Sequence, residues 1–426
     1  MDDIDVPPFF LCPISLEIMK DPVTVSSGIT YDRESIEKWL FLGQNKTCPV
    51  TKQLLSLSDS TNLTPNHTLR RLIQAWCIIN ASRGVERIAT PKSPVSKTQI
   101  EQIIKDAFHS YESLIQCLGK LKSIASESET NRSFMEAAGA VEFLASVVIN
   151  NTVSSSSDNP DENDNDDDND DDRFGLKTGA GDEALIILCN LNSSEAGLKT
   201  LLAFKSGEFI DSLMRIMQRG MYESRAYAVL LLKSISEVAN HEVIANTRNE
   251  LFSELVQVLK DQISTKASKA SLHTLIQLCP WGRNRIKAVE AGAIPVLIEL
   301  LLDSKERKPC EMMLVLLEML CQCADGRAEL LNHGAGLAIV SKKTLRVSTM
   351  ANDRAVSILL SVSRFSATPS VVQEMLQLGV VAKLCLVLQV DSGSKAKEKA
   401  REILKLHARV WRNSPCIPSN LLVSYP

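Results

Sequence analysis

Aromatic residues are scarce, 5% of 426 positions, while Leu, Ile, Val and Ala are abundant. That bias argues against a β-sandwich and for helix packed on helix. Metal ligands are missing where a small domain would need them. No His precedes His67, and Cys12 and Cys48 are the only cysteines before Cys77. A zinc site needs about four Cys or His ligands in short paired spacings, so none can be assembled in the first eighty residues. Long apolar runs are also lacking. The stretch Ile294 to Leu302 is broken by Glu299 and is too short to span a bilayer. There is no basic patch interleaved with aromatics, which leaves nucleic acid out as an expected partner. The first residues, with Asp2, Asp3 and Asp5, do not follow the charged-then-apolar pattern of a secretory leader. The eleven cysteines are odd in number and scattered through apolar runs, as at Cys117, Cys189, Cys321 and Cys385. Free thiols in a reducing compartment are expected, the cytoplasm first and the nucleus as a second location.

What is present is ordinary in bulk and unusual in arrangement. Apolar residues make up 44% and charged residues 23%, and the length calls for more than one core or for a repeat array. The net charge of −4 rests on one place: Asp158 to Asp172 holds ten acidic residues, and without it the remainder carries about +6.

The segment Phe10 to Leu40 reads FLCPISLEIMKDPVTVSSGITYDRESIEKWL, and a second Cys-Pro pair follows at Cys48-Pro49. Val23 to Val25 and Ile29 to Tyr31 flank Ser26-Ser27-Gly28, a hairpin signal. Asp32 is placed to cap a helix running to about Leu42, with Gly43 to end it. After Pro65-Asn66, the spacing of Leu69, Leu72, Ile73 and Trp76 predicts a second helix to about Ala81. Residues 7–82 are therefore expected to form one unit, and 83–98, with Gly84, Pro91 and Pro94, a linker.

Residues 99–410 repeat. A glycine between two apolar helices recurs at Gly139, Gly207, Gly292, Gly334 and Gly379. The last two spacings are 42 and 45 residues, and Gly207 to Gly292 is 85, about two periods. A period of 40 to 47 residues with two or three helices points to a solenoid of about six units. The polar, acidic stretch 151–178 is read as a disordered insertion, since it cannot offset its ordering entropy by burial. Its carboxylates are calcium-ligand chemistry, but no EF-hand spacing is present, and the solvated-loop reading is preferred. Residues 411–426 form a tail.

Asn284 to Leu302, NRIKAVEAGAIPVLIELLL, and Ala184 to Asn192, ALIILCNLN, resemble armadillo repeats. The first unit, with its two Cys-Pro loops and no metal ligands, resembles the U-box, a zinc-free relative of the RING domain. Together they resemble the plant U-box ubiquitin ligases with armadillo repeats. The resemblance implies a mainly α chain: a small α+β U-box, RING-like and zinc-free, followed by an all-α armadillo-repeat solenoid.

The resemblance also implies an E3 ubiquitin ligase that acts without a covalent intermediate and supplies no catalytic nucleophile or acid–base group. It would hold a ubiquitin-loaded conjugating enzyme so that a substrate lysine attacks the thioester, which is catalysis by orientation. Ile14, Trp39 and Pro49, with Leu16 beside them, would receive that enzyme. Ile14 as core, Trp39 as a buried flank and Pro49 as a turn former are the competing structural readings. Lys52 matches the position of a basic ubiquitin clamp, or is a solvated charge. Glu17, Lys20, Asp21, Arg33 and Glu34 are the polar residues available to replace the metal. Cys12 and Cys48 are read as small buried hydrophobes. Asn190 stands where such arrays carry a groove asparagine. Substrate protein would bind the armadillo repeats and be directed to degradation, and a role in plant stress or immune signalling is the accompanying expectation. Self-association or pairing with another chain through the U-box is left open. The alternative is a non-enzymatic armadillo adaptor with a degenerate U-box.

Overall fold

A computed structural model describes residues 6–42, 45, 47–55, 63–86, 88, 95–154, 171–245, 247–390 and 393–412. Among the described residues the backbone is helical almost throughout, with one small sheet near the N-terminus. Two compact units divide the chain, Met1–Val147 with Asp172–Gly197, and Val148–Asp171 with Leu198–Pro426. The stretch 83–98 is not a boundary between them: residues 7–82 fall in one compact unit with the helices that follow.

In the first unit, strands β1 (Pro22–Thr24), β2 (Thr30–Asp32) and β3 (Thr64–Pro65) form an antiparallel sheet in the order β2-β1-β3. The expected hairpin is β1–β2, with Val23 opposite Tyr31 and Gly28 at φ +81° in the turn. Only glycine adopts that backbone without a Cβ penalty. β3 is too short to have carried a sequence pattern. Helix α1 (Arg33–Glu37) leads into a π-turn at Lys38–Leu42, where the sequence predicted one continuous helix. Helix α2 (His67–Ile79) begins as expected, with the Asn66 side chain accepting from the Leu69 amide at 3.0 Å. The core gathers Phe10, Met19, Val23, Tyr31, Ile36 and Ile73. Each such side chain contributes about 1.5–3 kcal/mol by leaving water. Gly43 and most of the tail lie outside the described residues.

Helices α3 (Lys97–Asp106), α4 (Tyr111–Glu127) and α5 (Glu129–Ala137) follow, then Ala140–Ser154 and Asp171–Leu191. Residues 155–170 of the acidic stretch lie outside the described residues. Its flanks, 151–154 and 171–178, are helical, which corrects the expectation of disorder there: the repeat helices run on into the acidic stretch.

The second unit is built from triplets of helices. The third helices, Tyr222–Val238, Thr265–Leu278, Arg307–Leu320, Thr349–Phe365 and Ser394–Leu406, pack in succession against one another. Gly292 and Gly379 sit at φ +79° and +69° between first and second helices, the sharp corner that the repeat signal marks. Gly334 departs from this rule and takes no left-handed conformation. In its unit Gly336 does the work instead, lying against the Leu330 carbonyl where a Cβ would not fit. Polar side chains seal the corners. Buried Asn284 donates to the carbonyls of Ile244 at 2.8 Å and Leu278 at 3.0 Å. Among the described residues no single helix is long and apolar enough to cross a membrane.

Candidate functional site: the two loops and the central helix

The two Cys-Pro loops are built alike. Cys12-Pro-Ile-Ser-Leu-Glu17 and Cys48-Pro-Val-Thr-Lys-Gln53 each close with a backbone bond from the fifth residue to the cysteine carbonyl. Leu16 N reaches Cys12 O at 2.8 Å, and Lys52 N reaches Cys48 O at 3.0 Å. The cysteine amides bond to the Glu17 and Gln53 carbonyls, both at 2.8 Å. Leu16 and Lys52 take the same left-handed backbone, φ 59° and 58°, a conformation that costs a side-chain-bearing residue roughly 1 kcal/mol or more. The sequence signal for this equivalence is a repeated Cys-Pro-aliphatic-Ser/Thr spacing.

Ion pairs and sulfur-centred hydrogen bonds tie the loops to the sheet and helices. Asp21 is the hub: its Oδ2 accepts from Arg33 Nε at 2.6 Å, and its Oδ1 is paired with Arg70. Arg33 also lies 3.8 Å from Glu37. Of the residues expected to replace a metal, Asp21 and Arg33 meet here. Glu34 instead pairs with exposed Lys38 at 2.6 Å, while exposed Glu17 and Lys20 stand outside the ion-pair network. Arg70, Glu37 and Asp32 were missed. Asp32 does not cap α1 with its side chain; its Oδ1 accepts from the amides of Lys20 at 2.8 Å and Asp21 at 2.9 Å, holding the first loop to the sheet.

Both cysteines are fully buried, and their sulfurs are polar centres as well as hydrophobic filling. Cys12 Sγ accepts from the Asp32 amide at 3.3 Å. Cys48 Sγ lies 3.1 Å from Ser27 Oγ and 3.0 Å from Tyr31 Oη, and the Thr51 amide reaches it at 3.5 Å. Burial opposes ionisation of Cys48, but the hydrogen bonds from Ser27, Thr51 and Tyr31 outweigh it and bring the thiol down to about 6. Among the described residues no group of three or more His, Cys, Asp or Glu side chains is placed to hold a metal ion.

Trp39 joins the central helix to the second loop. Its indole Nε1 donates to the Thr47 carbonyl at 2.8 Å, and Lys52 Nζ stands 5.9 Å from the ring centroid, within cation–π range. Ile14 and Trp39 are half-buried, packed on the core along one side. Pro49 is half-buried too. Leu16 is 74% exposed, and Val50 and Leu54, which are not among the expected contacts, are 53% and 80% exposed. The surface is thus an apolar rim of loop residues beside a fixed indole.

Asn190 is exposed at the last turn of Asp171–Leu191 and lines a cleft of about 640 Å³ with Lys122, Ser123 and Arg132.

These features define a small RING-like module followed by armadillo repeats. The U-box domain family matches residues 6–82, and the family described as plant U-box protein ARM repeat region matches residues 99–426. The chain belongs to the plant U-box proteins with armadillo repeats and, with them, to the E3 ubiquitin-protein ligases. It is similar to E3 ubiquitin-protein ligase PUB23 of Arabidopsis thaliana, with 57% identity over 100% of this chain and 98% of that one. It is also similar to E3 ubiquitin-protein ligase PUB22 of the same plant, with 58% identity over 100% and 99%. Among solved structures, a designed armadillo repeat protein aligns over 72% of this chain and 99% of its own, at 14% identity and a TM-score of 0.34.

Proposed function

We propose that the rim formed by Ile14, Leu16, Trp39 and Pro49, extended by Val50, receives a ubiquitin-conjugating enzyme carrying a ubiquitin thioester. The observation that carries this reading is Trp39, held to Thr47 by its indole N–H and flanked by loops whose apolar tips face solvent. Aromatic anchors in fixed pockets, ringed by smaller apolar contacts, dominate interface energetics. The ligase contributes orientation: the docked enzyme holds ubiquitin in a conformation that a substrate lysine can attack, and nitrogen replaces sulfur at the thioester carbonyl.

Lys52 is the proposed contact to ubiquitin. Its charge beside Trp39 supports this, although an ammonium lacks the planar fork of an arginine. No zinc takes part in this reading; the Asp21 network and the Cys48 hydrogen bonds do the structural work. Substrate protein is proposed to bind the armadillo repeats, with Asn190 among the surface residues, and its modification to lead to degradation. The same reading extends to stress or immune signalling in the plant. The free state of all ten described cysteines supports a reducing compartment, the cytoplasm or nucleus.

The test is reconstitution. Purified chain with activating enzyme, conjugating enzyme, ubiquitin and ATP is expected to modify itself, and Trp39→Ala or Ile14→Ala to suppress that modification. Failure of the parent chain across a panel of conjugating enzymes would favour the non-enzymatic adaptor instead.

A further inference from the structure

Glu37 is buried, 3% exposed, at the junction where α1 gives way to the π-turn carrying Trp39. It meets the first turn of α5 in the armadillo region. Thr130 Oγ1 donates to Glu37 Oε1 across 93 positions of sequence, and Thr130 is itself 6% exposed. The α5 N-terminus is a favourable place for a negative charge, since its amides point outward. The next residue, Asn131, is 1% exposed and accepts from the Val95 amide at 3.2 Å, tying the end of the linker to the same turn. On the U-box side, Arg33 lies 3.8 Å from Glu37 and carries the connection to Asp21 and Arg70.

Resting on the docking role of Trp39 proposed above, we infer that Glu37 and Thr130 are positioning residues for the conjugating enzyme. The first armadillo helices buttress the α-to-π junction and thereby set the orientation of Trp39 two residues on. A π-turn is a wide, strained backbone that often marks a functional position. Fixing one end of it through a buried hydrogen bond restricts where the indole can stand. The armadillo region then has a part in conjugating-enzyme docking as well as in substrate binding.

The pair acts through Trp39 and so through affinity, which separates it from a structural role. A conjugating enzyme that supports chain synthesis with the parent is charged with ubiquitin, and its discharge to free lysine is measured at rising concentration with full-length protein. Thr130→Val should raise the half-saturating concentration about fivefold and leave the plateau rate in place. Thr130→Ser, which keeps the hydroxyl, should restore parent behaviour. Should Thr130→Val fold poorly, Glu37→Leu removes the pair without leaving a buried charge, and the same rise is expected. A fall in plateau with unchanged half-saturation, or no change at all, overturns the inference if Trp39→Ala still impairs discharge. Parent-like discharge by Trp39→Ala overturns the docking reading itself, and the inference with it.

Discussion

Leu16 and Lys52 share a left-handed backbone at the fifth position of two equivalent loops, φ 59° and 58°. Neither is glycine, and both side chains are exposed where a conjugating enzyme is proposed to sit. Strain of this kind persists where a side chain is needed more than local stability. Leu16→Gly and Lys52→Gly are therefore expected to raise unfolding free energy by about 0.5–1 kcal/mol while lowering ubiquitin discharge. Lys52→Arg should keep stability and raise discharge by restoring a planar fork. Equal or lower stability in both glycine variants would show that the backbone is not strained.

Asp21 binds two arginines, each 12% exposed, and its own side chain is 13% exposed. Asp21→Asn removes the charge that Arg33 and Arg70 share. Breaking a buried pair in this way costs about 3–5 kcal/mol. Denaturant unfolding should show an early transition for this variant. On the proposed reading, in which ion pairs stand in for metal, a chelator added to the parent should shift nothing. A chelator-sensitive transition would contradict that division of labour.

Glu37 gives the stability a sign with respect to pH. Burial raises its carboxyl above the ordinary 4.5, against the Thr130 hydrogen bond and Arg33, which pull it down. A carboxyl raised on folding takes up a proton as the chain folds. Its contribution is present in full below the unfolded value and is lost as pH rises through the folded value. Glu37→Gln should flatten the loss of stability over that window and, at neutral pH, be no less stable than the parent, since its amide oxygen still accepts from Thr130. Marked destabilisation at pH 7 with an unchanged pH slope would contradict this.

Much of the architecture could be read in advance, for reasons that particular residues make plain. The β1–β2 hairpin was visible because Gly28 sits between two apolar strands, and α2 because Leu69, Ile73 and Trp76 recur at helical spacing. The repeat register followed from Gly139, Gly207, Gly292 and Gly379, whose left-handed corners demand glycine; Gly334 carried the same signal without the conformation. Site chemistry was harder, because it is made by contacts between distant positions. Asp21 and Arg33 were legible as polar residues in loops without metal. Arg70, 49 positions from Asp21, and Thr130, 93 from Glu37, were not. Asp32 read as a helix cap because capping is the commonest use of Asp before a helix, yet two loop amides compete for its carboxylate and win.

The account stands on Trp39 as the anchor for a conjugating enzyme. The most direct measurement is single-turnover discharge of a ubiquitin-charged conjugating enzyme to free lysine, comparing the parent with Trp39→Ala and Ile14→Ala while circular dichroism confirms the fold. Losing a central aromatic anchor costs about 2 kcal/mol or more, so the rate at sub-saturating enzyme should fall about thirtyfold for Trp39→Ala, with a smaller loss for Ile14→Ala. Folded variants that discharge ubiquitin as fast as the parent would contradict it.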